Sequence, residues 1–111
     1  MLPSSKRLTT ALFKKTIDNG RSAHSQLFIL KLIKEGGPSR FSVSVSKKVA
    51  KKAVERNKIR RRAYSAISSF YPAIKHGIHG VVIAKNPAAK ASLEEIISDI
   101  KSFFVKSGHL K

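Results

Sequence analysis

The residues best suited to chemistry lie in one basic segment, SKKVAKKAVERNKIRRRAYSAI, residues 46–67. Nine Lys or Arg fall between Lys47 and Arg62, and Glu55 is the only acid among them. Ammonium and guanidinium groups at this density bind phosphates, and arginine does so with two parallel hydrogen bonds. The segment therefore predicts a surface for a polyanion. Its candidate contacts are Lys47, Lys48, Lys51, Lys52, Arg56, Asn57, Lys58, Arg60, Arg61 and Arg62.

Apolar residues in and just after this segment recur at helical spacing, at Ile59, Ala63, Ile67 and Phe70. The spacing predicts a helix from about residue 53 to residue 71, ended by Pro72. Its apolar side must pack, so the cations project from the remaining circumference of the N-terminal half. Cations at that end oppose the helix dipole and repel one another. A local rule broken in this way indicates function, whereas the simpler interpretation is a solvated basic face.

The whole chain supports a polyanionic partner. It has 111 residues, a net charge of +17 and a hydrophobic content of 41%. These values predict one domain, residues 1–111, with one modest core and nucleic acid as the preferred partner. The chain has no Cys, which excludes disulfides and thiolate chemistry. Its longest apolar run, LFIL, is far too short to span a membrane. We expect a cytoplasmic protein.

Two further helices are predicted. One runs from about Thr10 to Asp18, with Phe13 and Ile17 on one face. The other begins at a capping box formed by Ser92 and Glu95. It continues through an apolar stripe and ends at a glycine, with acids leading and lysines trailing as the helix dipole favours. The stripe and its end consist of Leu93, Ile96, Ile97, Ile100, Phe103, Phe104 and Gly108.

Three strands are predicted. SQLFILKLI, residues 25–33, has apolar residues on both faces, which is typical of an interior strand covered on two sides. FSVSVS, residues 41–46, alternates strictly between apolar residues and serines, so its serine face can be open. HGVVIAK, residues 79–85, is closed by an Asn-Pro pair. The order α-β-β-α-β-α predicts an α+β fold, with helices packed on a small β-sheet.

Residues for protein-based catalysis are not apparent in the sequence. There is no glycine-rich phosphate loop, no marked nucleophile and no plausible pair of catalytic carboxylates. Glu94, Glu95 and Asp99 are better explained as charges at a helix start. His76 and His79 lack nearby carboxylates or Cys, so a surface turn is favoured over a metal site. We expect no catalytic residue, no metal ligand and no cofactor bound by the protein alone.

Four segments together resemble the bacterial ribonuclease P protein family. ERNKIRRRAYSAI is similar to its signature, whose usual form is close to R-N-R-x-K-R, and FSVSVSKKVAKKAV is similar to the strand and link before it. RLTTALFKKTIDNG and GVVIAKNPAAKASLEEIISDIKSFF follow the family order. The resemblance covers nearly the whole chain. It implies an α+β fold with an unusual left-handed β-α-β crossover, which the residues themselves do not predict because right-handed crossovers are the default.

The resemblance also implies a function. The protein would be the accessory subunit of ribonuclease P, an endoribonuclease that removes 5′ leaders from precursor tRNA. The RNA subunit would carry the catalysis with Mg²⁺, which would be held mainly by the RNA. The implied partners are this catalytic RNA and the 5′ leader, with no membrane and no protein partner required.

Individual residues take roles from the same resemblance. Arg56, Asn57, Lys58, Arg60 and Arg61 match the RNA-binding signature, with Lys58 in place of its second Arg. Lys47 and Lys48 match the basic pair after the strand. Phe13 matches an aromatic residue that lines the leader cleft. Ile17 stands where many members have a second aromatic residue, and Leu30 stands where some members have Tyr. Tyr64 stands where many have Arg and could stack on a base or pack. The implied leader cleft comprises Phe13, Ile17, Leu30, Ser44 and Tyr64.

Three other functions remain open at this point. A structural RNA-binding module, such as a small ribosomal protein, would use the same basic helix on folded RNA. A duplex DNA binder would place the helix in the major groove, although the cations spread around too much of the helix. A membrane-surface helix is least favoured, because the apolar side is modest and is needed for the core.

Overall fold

The computed structural model describes residues 6–110. Within them the chain forms three α-helices and four strands, which confirms the α+β class. One strand was not predicted, because RSAH is short and polar and is a strand only through its pairing with the next one. In chain order the elements are α1 (Thr10–Asn19), β1 (Arg21–His24), β2 (Phe28–Lys34), β3 (Arg40–Ser44), α2 (Ala53–Phe70), β4 (Ile78–Ala84) and α3 (Leu93–Ser107).

The four strands form one mixed sheet in the order β1-β2-β4-β3. β2 pairs antiparallel with β1 on one side and with β4 on the other. β3 pairs parallel with β4, so α2 is the crossover between two parallel neighbours. The left-handedness of this crossover stays a prediction of the family resemblance. The basic segment therefore lies on the long connection between the two strands at one edge of the sheet.

One side of the sheet, here called the core face, carries the hydrophobic core. Phe28, Leu30 and Leu32 of β2 are buried there, beside Phe41 and Val43 of β3. Helices α2 and α3 cover this face. The ring of Phe104 on α3 lies 5.8 Å from the ring of Phe41 and 5.5 Å from that of Phe70 on α2. A sheet buried on one side by two helices is the expected two-layer arrangement.

The opposite side of the sheet, here called the α1 face, is only partly covered. Helix α1 packs on β2 and β4 there, and the Nζ atom of Lys31 on β2 donates a hydrogen bond to the Ile17 carbonyl at 3.0 Å. Ile29 shares this face because strand side chains alternate. Ile29 lies opposite Ile83, and Ile83 lies opposite Ser44. The α1 face therefore includes Ile29, Lys31, Ile33, His79, Val81, Ile83, Arg40, Ser42 and Ser44.

Both ends of α3 have the predicted caps, whereas the start of α2 has no side-chain cap. Ser92 and Glu95 form the predicted capping box, and Gly108 ends α3 with a φ of 74°. In α2 the N-cap residue is Lys52, which makes no side-chain capping hydrogen bond. The start of α2 therefore combines cations with backbone N–H groups that no side chain caps. Among residues 6–110, no helix is both long and apolar enough to cross a membrane.

Candidate nucleic-acid interface

Helix α2 is amphipathic in the predicted sense. Its inward side buries Ile59, Ala63, Ile67 and Phe70 against the sheet and α3. Tyr64 and Ala66 are buried as well, so the C-terminal half is mostly enclosed. The cations are confined to the N-terminal half and its preceding link, where one side is open to solvent. Packing thus fixes which part of α2 can meet a partner.

Six cations of this region are exposed. Within residues 6–110, none of their side chains makes a hydrogen bond or ion pair with the protein. Their charge is therefore available to phosphates, and nothing in the fold requires it there. We call this set the open basic surface: Lys47, Lys48, Lys51, Lys52, Lys58 and Arg61.

Arg56 and Arg62, by contrast, are half-buried and hold the protein together. The Nη1 atom of Arg56 donates to the carbonyls of Ala50 and Lys51 at 3.0 and 2.7 Å, which braces the link between β3 and α2. The Nη1 atom of Arg62 donates to the Ala91 carbonyl at 2.9 Å and ties α2 to the start of α3. A guanidinium carries five donors, so an RNA contact for both residues stays a prediction beside these internal roles.

Arg60 and Asn57 act as a pair on the outer side of α2. The Nη2 atom of Arg60 donates to the Oδ1 atom of Asn57, one turn earlier. The amide thereby orients the guanidinium, which leaves the other Arg60 donors directed away from Asn57. A pre-oriented guanidinium loses less conformational entropy when it binds a phosphate. The sequence resemblance placed both residues in the signature, and the structure joins them.

The predicted leader-cleft residues divide into two groups. Phe13 and Ile17 are half-buried on α1, and neither belongs to the hydrophobic core. Ser44 lies on the α1 face, half-buried, at the edge of the sheet. The predicted leader groove would run between α1 and the edge strand β3, on the α1 face of the sheet.

The placement of Leu30 and Tyr64 in this cleft was wrong. Leu30 is fully buried on the core face, because strand alternation places it opposite to Ile29 and Lys31. Tyr64 is 7% exposed, and its ring lies 5.6 Å from the Arg7 guanidinium. Its hydroxyl accepts a hydrogen bond from the Val43 N–H at 3.1 Å. Tyr64 therefore packs, and it does not present a face for a base.

Residues that the sequence reasoning missed take their place in the groove. Ile29, Lys31 and Ile83 are half-buried on the α1 face, and Lys31 reaches α1 at the Ile17 carbonyl. The signal was present in β2, because Lys31 is the only charged residue within FILKLI and marks the less buried side of the strand. Lys31 thus identifies the α1 face of β2.

Asp99 and His79 both occupy structural positions in the fold. Asp99 accepts hydrogen bonds from the Ser25 hydroxyl at 2.5 Å and from the Gln26 N–H at 3.1 Å, so it caps the turn before β2. His79 is 6% exposed within β4, which corrects its assignment to a surface turn. Burial lowers the pKa of His79 below its ordinary value. Within residues 6–110, no group of three or more His, Cys, Asp or Glu could hold a metal ion.

The fold and the open basic surface define an α+β protein suited to bind a polyanion, with a mixed sheet and a cationic crossover helix. The Ribonuclease P family model matches residues 2–108. The chain belongs to this family.

Individual relatives agree with the assignment. The chain is 32% identical over 108 residues to the ribonuclease P protein component of a Picosynechococcus species, covering 96% of this chain and 93% of the relative. It is 39% identical over 71 residues to that of Microcystis aeruginosa, covering 64% of this chain and 59% of the relative. The ribonuclease P protein from Staphylococcus aureus shares the fold, with a TM-score of 0.80 and 24% identity over 100% of this chain and 96% of that one.

Proposed function

We propose that this chain is the protein subunit of ribonuclease P, which binds the catalytic RNA and the 5′ leader of precursor tRNA. In this role it assists endonucleolytic removal of the leader to give the mature tRNA 5′ end. The observation that carries the proposal is the open basic surface, whose six side chains make no hydrogen bond or ion pair with the rest of the described protein. It lies on the segment in which the family signature falls.

The open basic surface would bind the RNA backbone. Each phosphate that a Lys or Arg neutralises releases counterions, so affinity falls as salt rises. With about six such contacts, affinity would fall roughly a thousandfold between 50 and 200 mM salt. Arg60, oriented by Asn57, would add a directed contact at the centre of the surface.

The groove between α1 and the sheet would hold the single-stranded leader. Phe13 offers a partly exposed ring on one side, and Ile83 and Ser44 offer apolar and polar contacts on the other. Stacking of a base on an aromatic ring contributes about 1–3 kcal/mol. With one aromatic in the groove, leader binding would depend on Phe13 and on apolar contact more than on multiple stacking.

The chemistry would belong to the RNA subunit. Among the described residues, no three His, Cys, Asp or Glu side chains come together as possible metal ligands. We propose that Mg²⁺ is held mainly by the phosphates of the RNA partner. The protein would contribute binding and orientation of the substrate.

The test is cleavage of precursor tRNA by a bacterial ribonuclease P RNA at low magnesium, with and without this protein. We expect the protein to restore accurate 5′ cleavage. A Lys58→Ala/Arg61→Ala double variant should lose most of this effect, because both side chains are exposed and make no internal contact. The control is Lys101→Ala/Lys106→Ala, which removes the same charge from exposed positions of α3.

Two outcomes would contradict the proposal. If the folded protein binds RNA tightly but does not restore cleavage, a structural RNA-binding module is the better assignment. If both double variants lose the same activity, the effect is one of net charge and the open basic surface is not the binding site.

A further inference from the structure

Helix α1 lacks a cation of its own at its C-terminal end. Its last turn holds Asp18 and contains no basic residue. The backbone carbonyls at that end carry partial negative charge and need hydrogen-bond donors. Lys31 of β2 supplies a positive charge and a hydrogen-bond donor to this end of α1, because its Nζ atom lies 3.0 Å from the Ile17 carbonyl oxygen. The ammonium of β2 thus acts as the missing C-terminal charge of α1.

The end of α1 also lies directly on β2. A Cβ atom at Gly20 would lie 2.5 Å from the Thr16 carbonyl oxygen of α1 and 3.3 Å from both the backbone N and the backbone O of Leu32. Only a residue without a side chain fits this approach without displacing its neighbours. Lys31, next to Leu32, is therefore the β2 side chain placed to reach the last turn of α1.

The other polar tie between α1 and the sheet region is weaker. Lys15 and Glu35 form an ion pair at 2.9 Å, but the Lys15 side chain is 51% exposed. Exposed ion pairs contribute about 0–1 kcal/mol. Phe13 and Ile17 lie outside the hydrophobic core, so core packing does not fix them. Thr16 of α1 is fully buried, and Arg21, directly after the helix, pairs with Leu32, so packing and strand pairing also hold the end of α1. Lys31 adds a hydrogen bond from a charged group to this anchorage.

We propose that Lys31 is a positioning residue of the leader groove. It holds the last turn of α1 at a fixed distance from β2, and so places Ile17, and Phe13 one turn earlier, against a single-stranded leader. This inference rests on the proposed function. It assigns to Lys31 a role that acts through α1, without contact between its ammonium and the leader.

The experiment compares Lys31→Met, Lys31→Arg and the control Lys34→Met in the complex reconstituted with the RNA subunit. Lys34 ends the same strand and is exposed. The affinities for precursor tRNA and for mature tRNA are measured at several salt concentrations, and their ratio isolates the leader. Lys31→Met should lower this ratio about tenfold or more, as loss of a hydrogen bond to a charged group predicts. Lys31→Arg should restore most of it, and Lys34→Met should match the unsubstituted protein.

The salt dependence separates positioning from direct phosphate contact. A positioning role leaves the slope of log affinity against log salt unchanged in Lys31→Met. A decrease of about 0.7 in that slope would mean a direct contact with a leader phosphate and would overturn the proposal. An unchanged affinity ratio in Lys31→Met would overturn it as well.

Two further controls keep the outcomes distinct. If the unsubstituted protein does not favour the leader, the proposed function fails together with this inference. If the unsubstituted protein favours the leader and Lys31→Met favours it equally, this inference fails and the proposed function stands. Should Lys31→Met not fold, Lys31→Gln, which keeps a neutral donor, enters the same comparison with the same criteria.

Discussion

The hydroxyl of Tyr64 on α2 accepts a hydrogen bond from the backbone N–H of Val43 at 3.1 Å. Val43 lies in β3, the outer strand of the sheet, so this N–H has no strand partner. On the same edge, the Phe41 carbonyl accepts a hydrogen bond from the Leu8 N–H at 3.1 Å. Tyr64 and the segment before α1 together close the edge of the sheet that adjoins the basic helix. Closed edges protect a sheet from pairing with other chains.

Tyr64→Phe should therefore destabilise the protein without altering its RNA interface. The variant leaves the buried Val43 N–H without an acceptor, and an unsatisfied buried donor costs about 1–3 kcal/mol. Urea unfolding would measure the loss. The slope of RNA affinity against salt should match that of the unsubstituted protein. A normal unfolding midpoint combined with weaker RNA binding would mean that the hydroxyl contacts RNA and not the sheet edge.

Two adjacent arginines should give opposite results. Arg61 is exposed and makes no internal contact within residues 6–110, whereas Arg62 donates to the Ala91 carbonyl at 2.9 Å. Arg61→Met should lower the salt slope of RNA binding by about 1 and change stability by less than about 0.5 kcal/mol. Arg62→Met should lower the free energy of unfolding by roughly 1–3 kcal/mol.

The two arginine variants control for each other, since each removes one guanidinium and keeps a long side chain. Salt titrations of RNA binding and urea unfolding should be run on both. Equal effects on the salt slope would show that Arg62 also binds phosphate through its remaining donors. Equal effects on stability would contradict the distinction between the open surface and the internal arginines.

The sequence predicts α2 and α3 well because their signals are local. Apolar periodicity defines the buried side of each helix, and the Ser92–Glu95 capping box marks where α3 begins. β1 was missed because its residues RSAH have little strand character and form a strand by pairing with β2. That pairing follows from the turn capped by Asp99, whose contact with Ser25 spans 74 residues. Local patterns do not report such a contact.

The parts of the candidate site that depend least on tertiary packing were predicted best. The basic helix was found from its density of cations and its apolar spacing, because exposed cations need only a solvent-facing side. Leu30 entered the predicted cleft through the family resemblance, but strand alternation places it on the core face, on the opposite side of β2 from Lys31. Tyr64 was ambiguous as well. Its role is set by Val43 and Arg7, which lie far from it in sequence.

Gly80 lies at a position in β4 that excludes a side chain. A Cβ atom there would lie 2.6 Å from Leu32 Cδ2 and 2.9 Å from Phe41 Cδ1, on the two neighbouring strands. Gly80→Ala should destabilise the protein by about 1–3 kcal/mol, because the core must shift to admit a methyl group. Thermal and urea unfolding would measure this. Ala84→Gly, at a buried position of the same strand, tests whether any change of size in β4 has the same effect. Unchanged stability in Gly80→Ala would show that Leu32 moves aside freely.

Buried His79 should make the stability of the protein depend on pH. His79 is 6% exposed in β4, and its Nδ1 atom has no hydrogen-bond partner within residues 6–110. Burial is the main cause that lowers the pKa of His79 below its ordinary value of 6.5. Arg40 and Lys15 lower the pKa further, and Glu35 opposes them. The folded protein therefore binds a proton at His79 less readily than the unfolded chain does.

The sign of the effect follows by linkage. Well above pH 6.5 the imidazole is neutral in both states, and the stability associated with His79 is fully present. As the pH falls through the unfolded pKa and then the lower folded pKa, protons favour the unfolded chain and stability is lost. Urea unfolding between about pH 8 and 5, a range around the ordinary histidine pKa, should show this loss. His79→Leu should remove part of it, while His109, whose pKa is also lowered by burial, retains the rest. An identical pH profile for His79→Leu and the unsubstituted protein would show that His79 does not resist protonation in the folded state.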